Sequence, residues 1–395
     1  MSAESALLDA LAHRRILIVS GSGGVGKTTT AAALALRAAV QGRRVLVCTI
    51  DPSRRLVTSL GLETLSDRAR EMDIRRFDPV AGGRMWAMTL DTKRTFDTLV
   101  ERHTADAVAR RRILDNRFYK QVSSALAGSH EYMAMEKLLD LAADERFDLV
   151  VLDTPPTRHA LDFLEAPDRM MGFLDASVLR WFLKPYFVAG RLTLKVATRT
   201  GAFFLKLADR VLGLQFLQDL SEFFLAFEGM YAGFKERAQQ VNEVLRAEDS
   251  GFVLVAGPSA LTLDEALYFH ERLIERGMPF IGFIVNRLHP AATGPGGRGG
   301  APDIDDDLGD RLVEVFKDYS RLAKAEMKNV ARLEEETGTV PVLVPELEGD
   351  VHDLDGLHEV GDLIFGGARP ARRGRTRARS AAAVATRAVA ARGAR

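Results

Sequence analysis

The stretch Ile16-Leu17-Ile18-Val19-Ser20-Gly21-Ser22-Gly23-Gly24-Val25-Gly26-Lys27-Thr28-Thr29 decides how the chain reads. Its apolar opening, Ile16–Ser20, predicts a buried strand. Gly21 to Thr28 then matches G-x-x-x-x-G-K-[ST] at every fixed position. The alanine-rich segment that follows predicts a helix over Thr29–Val40, with Gly42 where a helix C-cap glycine belongs. Glycines 21, 23, 24 and 26 let the backbone turn tightly, so that N–H groups face a polyphosphate, and the helix N-terminus adds positive partial charge. Lys27 is expected on the β- and γ-phosphate oxygens, and the Thr28 hydroxyl on Mg²⁺. Ser22, Val25 and Thr29 complete the expected nucleotide-binding set. A plain glycine turn before a helix is the alternative; strand, loop and helix in the required order argue against it.

Further apolar runs read as strands: Val45–Ile50, Met85–Leu90, Leu149–Asp153, Phe252–Ala256, Phe280–Asn286 and Val340–Val344. Helical stretches separate them. Runs apolar on both faces, alternating with helices, predict an α/β fold: a doubly wound, mostly parallel sheet covered on both sides. The phosphate-loop pattern occurs once and no internal repeat is visible. Between residues 164 and 244 the pattern changes. Of the 21 Phe in the chain, 11 lie from Phe163 to Phe234, and Leu217, Leu220, Phe224, Phe227, Tyr231 and Phe234 share one face of a helix. This predicts an apolar helical subdomain, 164–244, inserted between a first core segment, 1–163, and a second, 245–366. A Gly/Pro-rich loop is expected over His289–Ala301.

The last segment, 367–395, is rich in Arg, Ala and Gly and reads as a disordered basic tail. It carries nine Arg and no acid while the whole chain balances 54 basic against 54 acidic residues, so the body is mildly acidic. The tail suits nucleic acid, anionic lipid or an acidic protein, and equally a solubilising end. With Cys48 the single cysteine, no disulfide forms within the chain. No signal-peptide pattern opens the sequence, and the longest uncharged run, Ser250–Leu263, spans 14 residues, well short of a membrane span of about 20. The expectation is a cytoplasmic protein, peripheral to a membrane at most.

Two acids end predicted strands. Asp153 closes Leu149-Val150-Val151-Leu152, where the second Mg²⁺ contact of a nucleotide hydrolase sits, and Thr154-Pro155-Pro156-Thr157 then leaves the strand as a segment able to sense the γ-phosphate. Asp51 closes the strand before Pro52-Ser53-Arg54-Arg55, placed to orient the attacking water and take its proton. Both also suit turn capping.

Together, Gly23-Gly24-Val25-Gly26-Lys27-Thr28-Thr29, Ile50-Asp51-Pro52, Asp153-Thr154-Pro155-Pro156-Thr157, Val285-Asn286-Arg287 and Val344-Pro345 resemble the family of the ArsA arsenite-translocating ATPase and the eukaryotic ATPase that targets tail-anchored membrane proteins. The likeness runs through residues 14–365. It implies Mg·ATP hydrolysis, with Asp51 as the water-activating aspartate and Lys27 as its catalytic partner at the phosphates. Asn286 is implied at the adenine, Pro345 beside it, and Glu131 is similar to an acid on the helix facing the switches. A homodimer, or a heterodimer with a paralogue, is implied, with opening and closing coupled to a hydrophobic helical client or a membrane partner. Three departures stand out. Ser22 replaces the lysine that in the family reaches the partner's nucleotide; Arg54 or Arg55 is the expected substitute. One cysteine excludes three-thiolate metalloid binding, and no Cys-x-x-Cys pair is present. The rival readings are a partitioning or positioning ATPase using the Arg tail on DNA or membrane, the energising subunit of an anion or metalloid exporter, and a nucleotide-switched binding module that barely hydrolyses.

Overall fold

In the computed structural model, residues 2–50, 55–104, 106–117, 119–120, 129–155, 231–289 and 306–366 are described. In chain order their elements are α1 (Ala3–His13), β1 (Ile16–Gly21), α2 (Lys27–Val40), β2 (Arg44–Thr49), α3 (Arg55–Ser59), β3 (Arg70–Met72), β4 (Arg84–Thr89), α4 (Thr92–His103), α5 (Ala107–Asp115), α6 (Ser129–Ala142), β5 (Leu149–Asp153), α7 (Tyr231–Arg246), β6 (Ser250–Ala256), α8 (Ala260–Glu275), β7 (Phe280–Leu288), α9 (Asp306–Thr337), β8 (Val342–Pro345) and α10 (Leu354–Ile364).

The strands form one sheet in the order β3-β4-β2-β5-β1-β6-β7-β8. All neighbours are parallel except the edge pair β3 and β4. The pleat explains why the central strands are apolar throughout: successive side chains serve opposite faces, and both faces are covered. Ile16, Ile18, Leu46, Cys48, Val150 and Leu152 belong to one buried cluster, with Phe96 of α4, Tyr132 and Met133 of α6, Val241 of α7, Leu263 of α8 and Val330 of α9. Leu17, Val19, Val45, Val47, Leu149 and Val151 belong to the other, with Leu7 of α1, Leu34 of α2, Leu56 of α3 and Leu357 of α10.

In α2, residues 30 to 36 are all buried, five of them Ala or Thr. Small side chains let the sheet lie against one side of this helix and α10 against another. Each fully buried leucine there, such as Leu34 and Leu36, is worth about 2 kcal/mol of transfer free energy. At the N-terminal edge of the sheet, Arg15 donates to the carbonyls of Ala142, Asp144 and Phe147, closing the C-terminus of α6. Arg43 donates to the carbonyls of Leu11, Arg14 and Asp148. Stitching at this end leaves the opposite, C-terminal edge for the site.

The expected strands are present with ends moved by one or two residues, and β3 is additional. The first long helix starts at Lys27, not Thr29, because the left-handed Gly26 (φ 95°) already serves as its N-cap. The last strand runs over Val342–Pro345 instead of Val340–Val344; Pro341 has no N–H for the ladder, and Val340 is exposed. Most of the expected insertion, the Gly/Pro loop beyond His289 and the basic tail lie outside the described residues. The helix α7 crosses the expected boundary at 244, and its Ala238, Val241 and Leu245 are buried in the core. Among the described residues no helix is long and apolar enough to cross a membrane.

Candidate functional site

Chain direction places the ends of β1, β2, β5, β6, β7 and β8 along one edge of the sheet, where α/β proteins bind their ligands. The phosphate-loop candidates leave β1 there. Gly21 passes so close to β6 that a Cβ would lie 1.9 Å from the Val255 carbonyl oxygen. The tip, Gly23 and Gly24, is exposed, whereas Ser22 and Val25 are buried and Thr29 half-buried. Gly26, with φ 95°, turns the chain into α2; a Cβ on it would meet Asn286 Nδ2 at 2.3 Å. Here only glycine permits both the backbone angle and the close approach.

Lys27 and Thr28 open α2. Lys27 Nζ donates to the Ser22 carbonyl at 2.7 Å, so the ammonium lies across the loop's own backbone. The Thr28 hydroxyl donates to Asp153 Oδ2 at 2.7 Å. Asp153, fully buried at the end of β5, accepts a second bond on the same oxygen from the Thr49 hydroxyl at 2.8 Å. Beyond it, Thr154 Oγ1 donates to the Val19 carbonyl, 3.0 Å away, and lies 3.0 Å from Ser20 Oγ, tying the chain that leaves β5 to β1. Pro155 is the last described residue of the expected γ-phosphate-sensing segment. Asp51 and Arg54 lie outside the described residues, as does the side chain of Glu131; β2 ends at Thr49, two positions before Asp51. Arg55 begins α3 and is exposed.

Asn286 reaches the loop because β7 is irregular beside it. Val285 pairs with Leu343 and Leu288 with Pro345, so β7 carries one more residue than β8 across this interval. Arg287 takes up the excess in the left-handed region, φ 61°. Such bulges re-aim neighbouring side chains, and here Asn286 Nδ2 donates to the Val25 carbonyl at 2.8 Å. Pro345 ends β8 next to this bulge.

Several residues escaped the sequence reading. The Ser22 hydroxyl donates to Glu265 of α8. His289 is gripped by Glu326 of α9, its backbone N–H at 2.9 Å and its Nδ1 at 2.7 Å, while Nε2 lies 3.2 Å from Glu346. Thr49 had a signal, a hydroxyl ending an apolar strand; Glu265 and Glu326, far away in sequence, had none. Cys48 is in β2 and buried, and burial pushes its thiol up to about 12, so it stays protonated.

A glycine cradle that side chains would fill, a lysine at its base, and a threonine hydroxyl paired with a buried aspartate fit the phosphates of a nucleotide and a hard cation with oxygen ligands. The family model described as anion-transporting ATPase matches residues 14–335. A candidate arsenical pump-driving ATPase of Aquifex aeolicus is 25% identical over 373 residues, covering 90% of this chain and 80% of the relative. The ATPase GET3C of Arabidopsis thaliana is 26% identical over 371 residues, 89% of this chain and 83% of the relative. An ATPase ASNA1 homologue of Plasmodium berghei is 20% identical over 380 residues, 88% of this chain and 86% of the relative. With the family model spanning most of its length and the phosphate loop set at the sheet edge, the chain is an ATPase and belongs to the anion-transporting, ArsA-type ATPase family.

Proposed function

We propose that the chain hydrolyses Mg·ATP at this loop and couples the cycle to opening and closing of a dimer that binds a hydrophobic client or a membrane partner. The observation that carries the hydrolytic part is the convergence of Thr28 and Thr49 on buried Asp153 beneath the glycine cradle. Lys27 leaves the Ser22 carbonyl for the phosphate oxygens when nucleotide enters. Thr28 and Asp153 are the residues that would hold a magnesium ion. When bound, the ion would supply positive charge that offsets the phosphoryl oxygens. Asp51, beyond the end of β2, orients the attacking water and accepts its proton late. Asn286 and Pro345 flank the base. The Asn286 amide also braces the loop, so one residue reports on both base and phosphate occupancy.

For the client, support comes from the sequence: the Phe-dense region 164–244, with Met170 and Met171, suits an adaptable apolar surface. Its end, α7, packs directly on α6 and the sheet, which gives the ATP site a short mechanical route to it. A homodimer, or a pair with a paralogue, in the cytoplasm is the assembly this reading takes.

The test uses Asp51→Asn in the full chain. The expected result is retained ATP binding, turnover reduced about a hundredfold or more, and capture of an apolar helical peptide in the ATP-bound state only. Wild-type turnover in Asp51→Asn would sink the assigned base. Peptide capture indifferent to ATP would sink the coupling. Stimulation by arsenite or antimonite would move the reading to an exporter subunit. ATP-dependent, salt-sensitive DNA binding lost with residues 367–395 would move it to a partitioning ATPase.

A further inference from the structure

The geometry points to Thr49 as a positioning residue that holds the Asp153 carboxylate in place for the metal; this rests on the reading of Thr28 and Asp153 as the magnesium-holding pair. Thr49 is 1% exposed and ends a strand whose preceding four residues, Val45 to Cys48, are wholly apolar. A hydroxyl there needs a partner within the protein. The partner is Asp153 Oδ2 at 2.8 Å, the same oxygen that takes the Thr28 proton at 2.7 Å. Backbone register makes the meeting obligatory: Thr49 and Asp153 are paired across β2 and β5, and Ile50 N–H donates to the Asp153 carbonyl at 3.1 Å. The β-branched side chain is stiff about χ1, so the donor is held on target.

Two O–H donors converging on one carboxylate oxygen, from two different elements, fix the rotation of the carboxyl group. Thr28 must share its oxygen with the incoming cation, whereas Thr49 has no such duty. Thr49 is therefore the donor that keeps Asp153 aimed before, during and after nucleotide binding, a preorganisation that costs nothing at the moment the metal arrives. Thr49 also lies two residues before Asp51. It ties the strand leading to the water-orienting acid to the strand carrying the metal-orienting one.

The experiment measures affinity for a non-hydrolysed ATP analogue with Mg²⁺ and with EDTA, in the wild type, Thr49→Val, Thr49→Ala and Thr49→Ser. Valine keeps the shape and removes the donor; alanine gives a second reading of the same loss should valine disturb folding, which a thermal melt reports. The magnesium-dependent gain in affinity should fall about tenfold or more in Thr49→Val and Thr49→Ala, the size expected for one hydrogen bond to a charged group. Affinity in EDTA should stay within about twofold, because the phosphate cradle is untouched. Serine should restore most of the gain. A wild-type magnesium response in both donor-less variants would overturn the proposal, as would equal losses with and without magnesium, which a merely structural role produces. Failure of serine to rescue would also overturn it. No magnesium response in the wild type would overturn the underlying assignment of Thr28 and Asp153, a separate and distinguishable result.

Discussion

Gly26 joins two demands that no other residue meets: a left-handed backbone, φ 95°, and a Cβ-free surface within reach of Asn286. Alanine would cost about 1–2 kcal/mol in backbone strain and would displace the Asn286 amide from the Val25 carbonyl. We expect Gly26→Ala to fold but to bind an ATP analogue at least about tenfold more weakly, given about 1 kcal/mol or more for the lost hydrogen bond alone. Asn286→Ala removes the same bond without strain and should weaken binding about fivefold. The two share the Val25 contact, so their losses should sum to less than full additivity in the double variant. Calorimetric titration of the four proteins checks this, and fully additive losses would show that the bond from Asn286 to the Val25 carbonyl does not brace the loop. At this scale the sequence was legible where a motif fixes spacing. It named Gly26, Lys27, Thr28, Asp153 and Asn286, but placed Asn286 at the base alone. Its bond to the loop comes from the one-residue excess in β7 and the left-handed Arg287, which no local pattern announces.

Between α4, α6 and α7 lies a polar assembly inside an otherwise apolar layer. Arg237 of α7 donates to Glu136 and Asp140 of α6, and Arg102 of α4 also donates to Asp140; Tyr132 donates to Glu136 at 2.7 Å. Glu136 is 1% exposed. Burial alone would lower the Arg237 pKa, but Glu136 and Asp140 outweigh it and raise it. Removing one partner strands the other, so Glu136→Ala or Arg237→Ala should cost about 3–5 kcal/mol in urea unfolding, while an apolar pair, Glu136→Leu with Arg237→Met, should recover most of it. A double variant as unstable as the singles would refute the account. His103, at the end of α4, lies against Gly233 of α7 and takes its lowered pKa from burial first, then from Arg237 and Arg102, with Glu136 and Glu236 opposing. The folded state then binds fewer protons than the unfolded chain just below the ordinary value of 6.5. The stability it contributes is present above that pH and is lost as pH falls through the folded pKa. Wild type should lose stability on acidification through this window faster than His103→Gln, and parallel pH profiles would count against it. None of this network was visible beforehand. The strands were, because continuous apolar runs bounded by Gly and Pro have one economical reading. The three-residue β3 was not, since Arg70-Glu71-Met72 has no periodicity to show and its place at the sheet edge is set by pairing with β4.

At the scale of the whole molecule, the proposed dimer would need a contact across the nucleotide, since Ser22 stands where the family it resembles has a lysine that reaches over. In this fold Ser22 is occupied within its own chain. It is 4% exposed, its carbonyl accepts from Lys27, and its hydroxyl donates to Glu265, 243 positions away along the sequence. That separation is why the sequence could mark the position as a departure and not say what the serine does. A side chain so held does not reach out from its own chain, and under the proposed dimer Arg55, exposed at the start of α3, is the expected source of a cross-chain charge. Under the proposed dimer, ATP turnover per chain should rise with protein concentration to a plateau, because pairing becomes complete by mass action. Ser22→Ala should leave the half-maximal concentration unchanged, whereas Arg55→Ala should lower the plateau or move the midpoint upward several-fold. Turnover independent of concentration down to nanomolar protein would mean either a monomeric enzyme or a dimer too tight to dissociate, and light scattering at the same concentrations separates the two. A midpoint that moves with Ser22→Ala and not with Arg55→Ala would return the cross-chain contact to the loop itself, and with it the need for Ser22 to leave Glu265 when the dimer closes.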